Sequence, residues 1–296
     1  MTPLIWVATP GNEAMTARLA AETKGDIAAL EARRFPDGET YLRLRTDVSG
    51  RNVAVVCTLD RPDGKYLPLA FAAATARDLG ATRVGLVAPY LAYMRQDRRF
   101  KDGEAVTSGY FARMISAGFD WLVTVAPHLH RHKSLDEIYT IPSRVVHADQ
   151  ALADWIGHNI SSPLIVGPDS ESAQWAGTIA ARAHCPHVVL NKHRRGDREV
   201  AIDLPDLSAW QGRKPVLVDD IISSAATMIE GARLLAAAGM AKPDCVAIHG
   251  VFADDSFRKL SALAARVVTT NTVAHESNQI DISAVIAAAA AEMSAL

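Results

Sequence analysis

From Lys214 to Gly239 the chain reads KPVLVDDIISSAATMIEGARLLAAAG. The apolar run Pro215 to Val218 ends in two adjacent acids, Asp219 and Asp220. Small hydroxylated residues follow, and then a helical pattern. This order reads as a buried strand, a ligand-binding turn and the start of a helix. Helix starts expose unpaired N–H groups and carry partial positive charge, which favours an anion. Ser223, Ser224 and Thr227 add hydroxyl donors for a phosphate. Asp219 and Asp220 repel a phosphate, but they suit sugar hydroxyls or a cation beside it. The turn therefore reads as a sugar-phosphate site.

The same grammar recurs along the chain. Short apolar strands are expected at Leu4–Ala8, Val53–Thr58, Val84–Ala88, Trp121–Ala126, Leu164–Val166, Val188–Leu190, Cys245–His249 and Val267–Thr270. Alanine-rich amphipathic segments such as Tyr66–Leu79 and Gly103–Ala117 lie between many of them. Alternating strands and helices predict an α/β fold, with mainly parallel sheets covered by helices. A length of 296 residues accommodates two domains, and 49% hydrophobic residues supply their cores. The expected division falls near His147, with Ile138–His147 crossing between units. Residues 1–147 make the first unit and residues 148–280 the second. Residues 281–296 form a terminal helix, expected to return to the first unit. A cleft between the halves, near the carboxyl ends of the strands, is the expected place for ligands.

A net charge of −2 gives no electrostatic reason to expect nucleic acid. The opening MTPLIWVATPGNE lacks the basic start and apolar core of an export signal, and no apolar run reaches membrane-spanning length. Cys57, Cys185 and Cys245 are widely spaced and lack metal-thiolate spacing, which fits a reducing cytoplasm.

Five further groups carry chemistry. Arg33-Arg34-Phe35-Pro36-Asp37-Gly38-Glu39 offers an aromatic to stack on a base and acids to accept from an exocyclic amine; an ordinary hairpin with charged flanks reads the same way. Arg95, Arg98, Arg99 and Lys101 follow a strand directly and suit a polyphosphate, although a solvated charged loop has the same composition. His128, His130 and His132 alternate, but no thiolate or H-E-x-x-H partner makes them a zinc site; beside a carboxylate they could help hold a divalent cation that carries phosphates. Asp169 to Ser172 repeats the acid-and-hydroxyl turn after a strand. Asn191-Lys192-His193-Arg194-Arg195-Gly196-Asp197-Arg198 reads as a mobile basic loop, able to neutralise charge on a transferring phosphoryl group. No P-loop, G-x-G-x-x-G fingerprint or G-x-S-x-G elbow is present.

Taken in order, RRFPDGE, PYLAYMRQDRRF, HLH, GPDSE, NKHRR, VLVDDIISSAAT and TNTV resemble the ribose-phosphate pyrophosphokinase family over nearly the whole chain. RRFKDGEAVTS is similar to the shorter archaeal-type branch. The resemblance implies two tandem phosphoribosyltransferase-like domains. It implies Mg²⁺-dependent transfer of the β,γ-pyrophosphoryl group of ATP to the C1 hydroxyl of ribose 5-phosphate. It assigns ATP binding to Phe35, Asp37, Glu39, Arg95 and Gln96, with the first three acting on a neighbouring subunit. It assigns Mg²⁺ to His130 and Asp169, catalysis to Lys192 and Arg194, and ribose 5-phosphate to Asp219, Asp220, Ser223, Ser224, Ala225, Ala226 and Thr227. A homo-oligomer, dimer or tetramer, follows from the same resemblance.

Two departures stand out. The family's sugar-phosphate turn ends D-T-A-G-T where this chain has Ser223, Ser224, Ala225, Ala226 and Thr227, and its catalytic loop has D-K-R where this chain has N-K-H. A phosphoribosyltransferase and a non-catalytic nucleotide-sensing or assembly protein are the competing functions. The arginine segment and Lys192–Arg194 argue against the first, and Ser223 and Ala226 leave room for the second.

Overall fold

A computed structural model describes residues 4–129, 131–195, 199–203 and 206–296. The chain forms two compact units: one comprises residues up to Val146 with Thr272–Ala274 and Ile282–Leu296, the other His147–Asn271 with His275–Asp281.

In the first unit the chain runs β1 (Ile5–Ala8), α1 (Glu13–Thr23), β2 (Asp26–Ala28), β3 (Leu30–Arg34), β4 (Thr40–Leu44) and β5 (Asn52–Val56). It continues through α2 (Asp63–Asp78), β6 (Arg83–Ala88), α3 (Thr107–Gly118), β7 (Trp121–Val125) and β8 (Ser143–Val146). The second unit contains α4 (Asp149–Asn159), β9 (Pro163–Gly167), α5 (Ala173–Arg182), β10 (His187–Val189), β11 (Asn191–Arg195) and β12 (Glu199–Asp203). Then come β13 (Lys214–Ile222), α6 (Ala226–Ala237), β14 (Asp244–Gly250), α7 (Ser256–Leu263), β15 (Arg266–Thr270) and β16 (Asn278–Ile280). Finally α8 (Ser283–Ala295) packs against α1, β7 and β8 of the first unit.

Each unit is built on one six-stranded sheet, and the two sheets share a topology. Their orders are β2-β1-β5-β6-β7-β8 and β10-β9-β13-β14-β15-β16. Every pairing in both is parallel. Central strands are buried on both faces, which is why they read as unbroken apolar runs rather than as alternations. Space within the first sheet is tight. Gly85 pairs with Trp121, and a Cβ on Gly85 would lie 1.9 Å from the buried indole.

Several elements depart from expectation. Strand β13 continues through Asp219 and Asp220 to Ile222, because β14 goes on pairing with it as far as Gly250. Residues 143–146 are an edge strand rather than a crossing segment. The basic run from Asn191 pairs antiparallel with β12 instead of forming a loop. Asn278–Ile280, not among the expected strands, pairs with β15.

Candidate active site

In the second unit, carboxylates and hydroxyls collect where β9 and β13 end. These neighbouring strands lie at the point where the order reverses, since β9 has β10 on one side and β13 on the other. Open parallel sheets bind ligands at such a point, outside the carboxyl ends of the strands.

Asp169 follows β9 and starts a short 3-10 turn, Ser170–Ser172. Its Oδ1 accepts from the Ser172 backbone N–H at 3.1 Å, and Ser172 Oγ accepts from the Asp169 N–H at 3.2 Å. This reciprocal cap fixes the acid at the strand end. It also explains Gly167, where a Cβ would come within 2.7 Å of Ser172 Oγ.

Asp219 and Asp220 stand near the end of β13, and Asp220 is buried. Burial pushes the Asp219 carboxyl up to about 8, and the Asp220 and Asp169 carboxylates push in the same direction. Three acids therefore act on one another around this strand end. Among the described residues, however, no three His, Cys, Asp or Glu side chains close into a metal-holding group. One or two carboxylates acting together with substrate phosphates is the usual mode for Mg²⁺, so the donor set fits a cation that arrives with its phosphates. His130 lies outside the described residues.

The turn after β13 is anchored through its backbone. The Ser223 carbonyl accepts from the Ala253 N–H at 3.0 Å and from Ser256 Oγ at 2.8 Å. Ala225 adopts left-handed geometry, φ 59° and ψ 10°, and Ala226 opens α6. The strained position of the turn is therefore Ala225, whereas Ala226 has ordinary helical placement and needs no glycine. The N-cap residue Ala225 offers α6 no side-chain acceptor, and the Ala226 N–H donates to Ser224 Oγ at 3.5 Å. Lys192 and Arg194 lie on β11, opposite Ile202 and Val200 of β12.

In the first unit, Phe35, Asp37 and Glu39 share the tip of the β3–β4 ribbon. The Phe35 N–H donates to the Glu39 carbonyl at 2.8 Å, and Gly38 turns the chain at φ 94°. Phe35 is exposed, edge-on to Tyr41, with the Arg33 guanidinium 4.7 Å from its ring centre. Arg95 and Gln96 lie after β6. Gln96 is tied to the start of α3 by Thr107 Oγ1, which donates to Gln96 Oε1 at 3.2 Å, and by its carbonyl, which accepts from the Ser108 N–H at 3.3 Å. Arg95 is exposed and makes no hydrogen bond or ion pair among the described residues. No described contact joins the ribbon tip to Arg95 or Gln96.

One pairing had no sequence signal. Arg131 Nη1 donates to both oxygens of Asp97, at 2.9 and 3.0 Å, across 34 positions. Its neighbours drew attention as a histidine group instead, yet His132 is engaged with Glu137 at 3.0 Å and holds that carboxyl below its usual range.

Comparison with known proteins gives these sites a family. Residues 4–118 match the N-terminal domain of ribose phosphate pyrophosphokinase, and residues 134–283 match the phosphoribosyl transferase domain. The chain belongs to the ribose-phosphate pyrophosphokinase family. Its relatives include the ribose-phosphate pyrophosphokinases of Methanobrevibacter smithii, 29% identical over 93% of this chain and 96% of that one. That of Sulfolobus acidocaldarius is 32% identical over 90% and 91%. That of Saccharolobus solfataricus is 34% identical over 83% and 85%. The crystal structure of phosphoribosylpyrophosphate synthetase from Mycobacterium smegmatis has the same fold, with TM-score 0.85, 22% identity and 97% of each chain covered. Among the described residues no helix is long and apolar enough to cross a membrane.

Proposed function

We propose that this chain makes phosphoribosyl pyrophosphate, moving the β,γ-pyrophosphoryl group of ATP to the C1 hydroxyl of ribose 5-phosphate and releasing AMP. One observation carries the reading: in a chain of this family, Asp169, Asp219 and Asp220 gather beside a hydroxyl-bearing turn that opens α6. Acids for sugar hydroxyls and amides for a phosphate are thus adjacent on the same strand end.

Asp219 and Asp220 hold the ribose hydroxyls and orient the C1 oxygen. Ser223, Ser224 and Thr227, with the amides of Ala225 and Ala226, hold the 5-phosphate. Arg95 and Gln96 bind ATP, and Phe35, Asp37 and Glu39 receive adenine from a neighbouring copy in a homodimer or homotetramer. Asp169 and His130 hold Mg²⁺, which when bound neutralises charge on the triphosphate. The C1 oxygen bonds to the β-phosphorus as the bond from that phosphorus to the α,β-bridging oxygen breaks. The bridging oxygen leaves with AMP as a phosphate oxygen and needs no strong acid, while the hydroxyl proton passes to water. Lys192 and Arg194 stabilise the charge that builds on the transferring group. The cytoplasm, where ATP is held, is the fitting compartment.

Incubation of the purified chain with ATP, ribose 5-phosphate and Mg²⁺ tests this reading, with AMP and phosphoribosyl pyrophosphate expected in equal amounts. Release of ADP, or no turnover across Mg²⁺ and phosphate concentrations, overturns it.

A further inference from the structure

The first unit contains its own version of the strand-end crevice. Strand β1 has β2 on one side and β5 on the other, so its order reverses there as the second sheet's does between β9 and β13. A cavity of about 270 Å³ lies at this point. Thr9 follows β1 and Cys57 follows β5, and both line it; the first turns of α2 close one side and the β3–β4 ribbon the other.

Its lining has the chemistry of a phosphate site with room for a ring. Arg33, Arg34 and Lys65 supply three cations. Lys65 is largely committed, through an ion pair with Asp60 and a hydrogen bond to the Thr58 carbonyl at 2.8 Å. Arg33 is stacked on Phe35 and Tyr41. Arg34 has no hydrogen bond or ion pair among the described residues, and its guanidinium reaches over α2: a Cβ built on Gly64 would be 3.6 Å from Arg34 Nη2. Pro68 also lines the space. Lacking an N–H, it leaves the Gly64 carbonyl without its usual helical donor, so the wall offers an acceptor for a hydroxyl. Ala32, Pro10 and Cys57 add apolar surface. A free guanidinium, an under-used carbonyl and an apolar wall suit a phosphate monoester on a hydroxylated ring. The volume holds one sugar ring and its phosphate more readily than a triphosphate.

We infer that the first unit binds a second phosphorylated ribose, free or carrying a base, in the crevice between β1 and β5 beneath Arg34. The lining contains no carboxylate, unlike the corresponding strand ends of the second unit, so this site binds without transferring.

Equilibrium dialysis of the full chain against labelled ribose 5-phosphate, labelled AMP and inorganic phosphate tests the inference. The Asp220→Ala variant, in which the second unit's anchor is disabled, is expected to retain one equivalent of ribose 5-phosphate. Asp220→Ala combined with Arg34→Gln is expected to bind it at least tenfold more weakly, with inorganic phosphate competing, while AMP loses one equivalent and keeps the one held by the ATP-binding residues. Arg34→Gln alone should leave the second unit's equivalent of ribose 5-phosphate intact, which separates failure here from failure of the proposed ribose 5-phosphate site. Loss of all binding in Asp220→Ala, residual binding indifferent to Arg34→Gln, or binding of inorganic phosphate with no gain from the ring would each overturn it.

Discussion

The backbone N–H of Asp220 donates to Oδ1 of Asp219 at 2.9 Å and pulls toward ionisation, against what burial and two neighbouring acids do to that carboxyl. The balance leaves Asp219 titrating near 8, far above an ordinary carboxylate. The folded chain therefore keeps a proton that the unfolded chain has already released. This contribution to stability is complete below the ordinary carboxylate range and is lost as pH rises through about 8. Asp219→Asn stays neutral throughout, so its stability should fall less between about pH 5 and about pH 9, by at least the ~1.4 kcal/mol that one pKa unit represents. Urea unfolding of the ligand-free chain at both pH values measures this. Identical pH slopes for variant and wild type would show that Asp219 titrates normally.

Lys192 and Asp220 are expected to fail differently. Lys192→Ala removes a cation that acts on the transferring group, and should lower kcat by about 100-fold or more with little change in the KM for ribose 5-phosphate. Asp220→Ala removes a sugar contact and should raise that KM about tenfold or more. Steady-state kinetics with each substrate varied distinguish the two, and matching profiles would contradict separate roles.

The legible parts of the fold were those in which one physical signal dominates. Val53–Val56, Val84–Ala88 and Val216–Val218 are buried on both faces, so their strands announce themselves as apolar runs. The turn from β13 into α6 was legible because acids and hydroxyls break such a run abruptly. Strands β3, β4, β11 and β12 were not. They form two-stranded antiparallel ribbons, and what holds them is pairing with a partner strand that no local pattern records. The same limit hid Arg131 and Asp97, which meet only because the chain folds back after β7. Nor does the sequence disclose that the left-handed residue of the sugar-phosphate turn is Ala225, since the departure from the family's pattern falls on Ala226.

That left-handed residue is testable. An alanine in this region costs about 1–2 kcal/mol, and glycine avoids the cost while losing about 0.5–1 kcal/mol of unfolded-chain entropy on folding. Ala225 is also buried, so glycine gives up a methyl contact worth about 0.8 kcal/mol, and Ala225→Gly should leave stability within about 1 kcal/mol of wild type in thermal or urea unfolding. A larger loss of stability would be inconsistent with positive φ at this position.

Arg131 should affect ATP use without touching ribose 5-phosphate. The Asp97 side chain is only 3% exposed, and Arg131 satisfies both of its oxygens. Asp97 directly follows Gln96, and the segment beyond it is braced by Glu104, which accepts from the Phe100 and Lys101 N–H groups at 2.8 and 3.0 Å. Arg131→Ala leaves a shielded carboxylate without its donor, at a cost of about 1–3 kcal/mol. The relaxed segment should raise the KM for ATP several-fold while the KM for ribose 5-phosphate stays constant. Adding Asp97→Asn removes the stranded charge, so the double variant should recover part of both the stability and the ATP affinity. If the double variant is as impaired as Arg131→Ala alone, Arg131 acts by some route other than holding Asp97, and the pair does not position the segment.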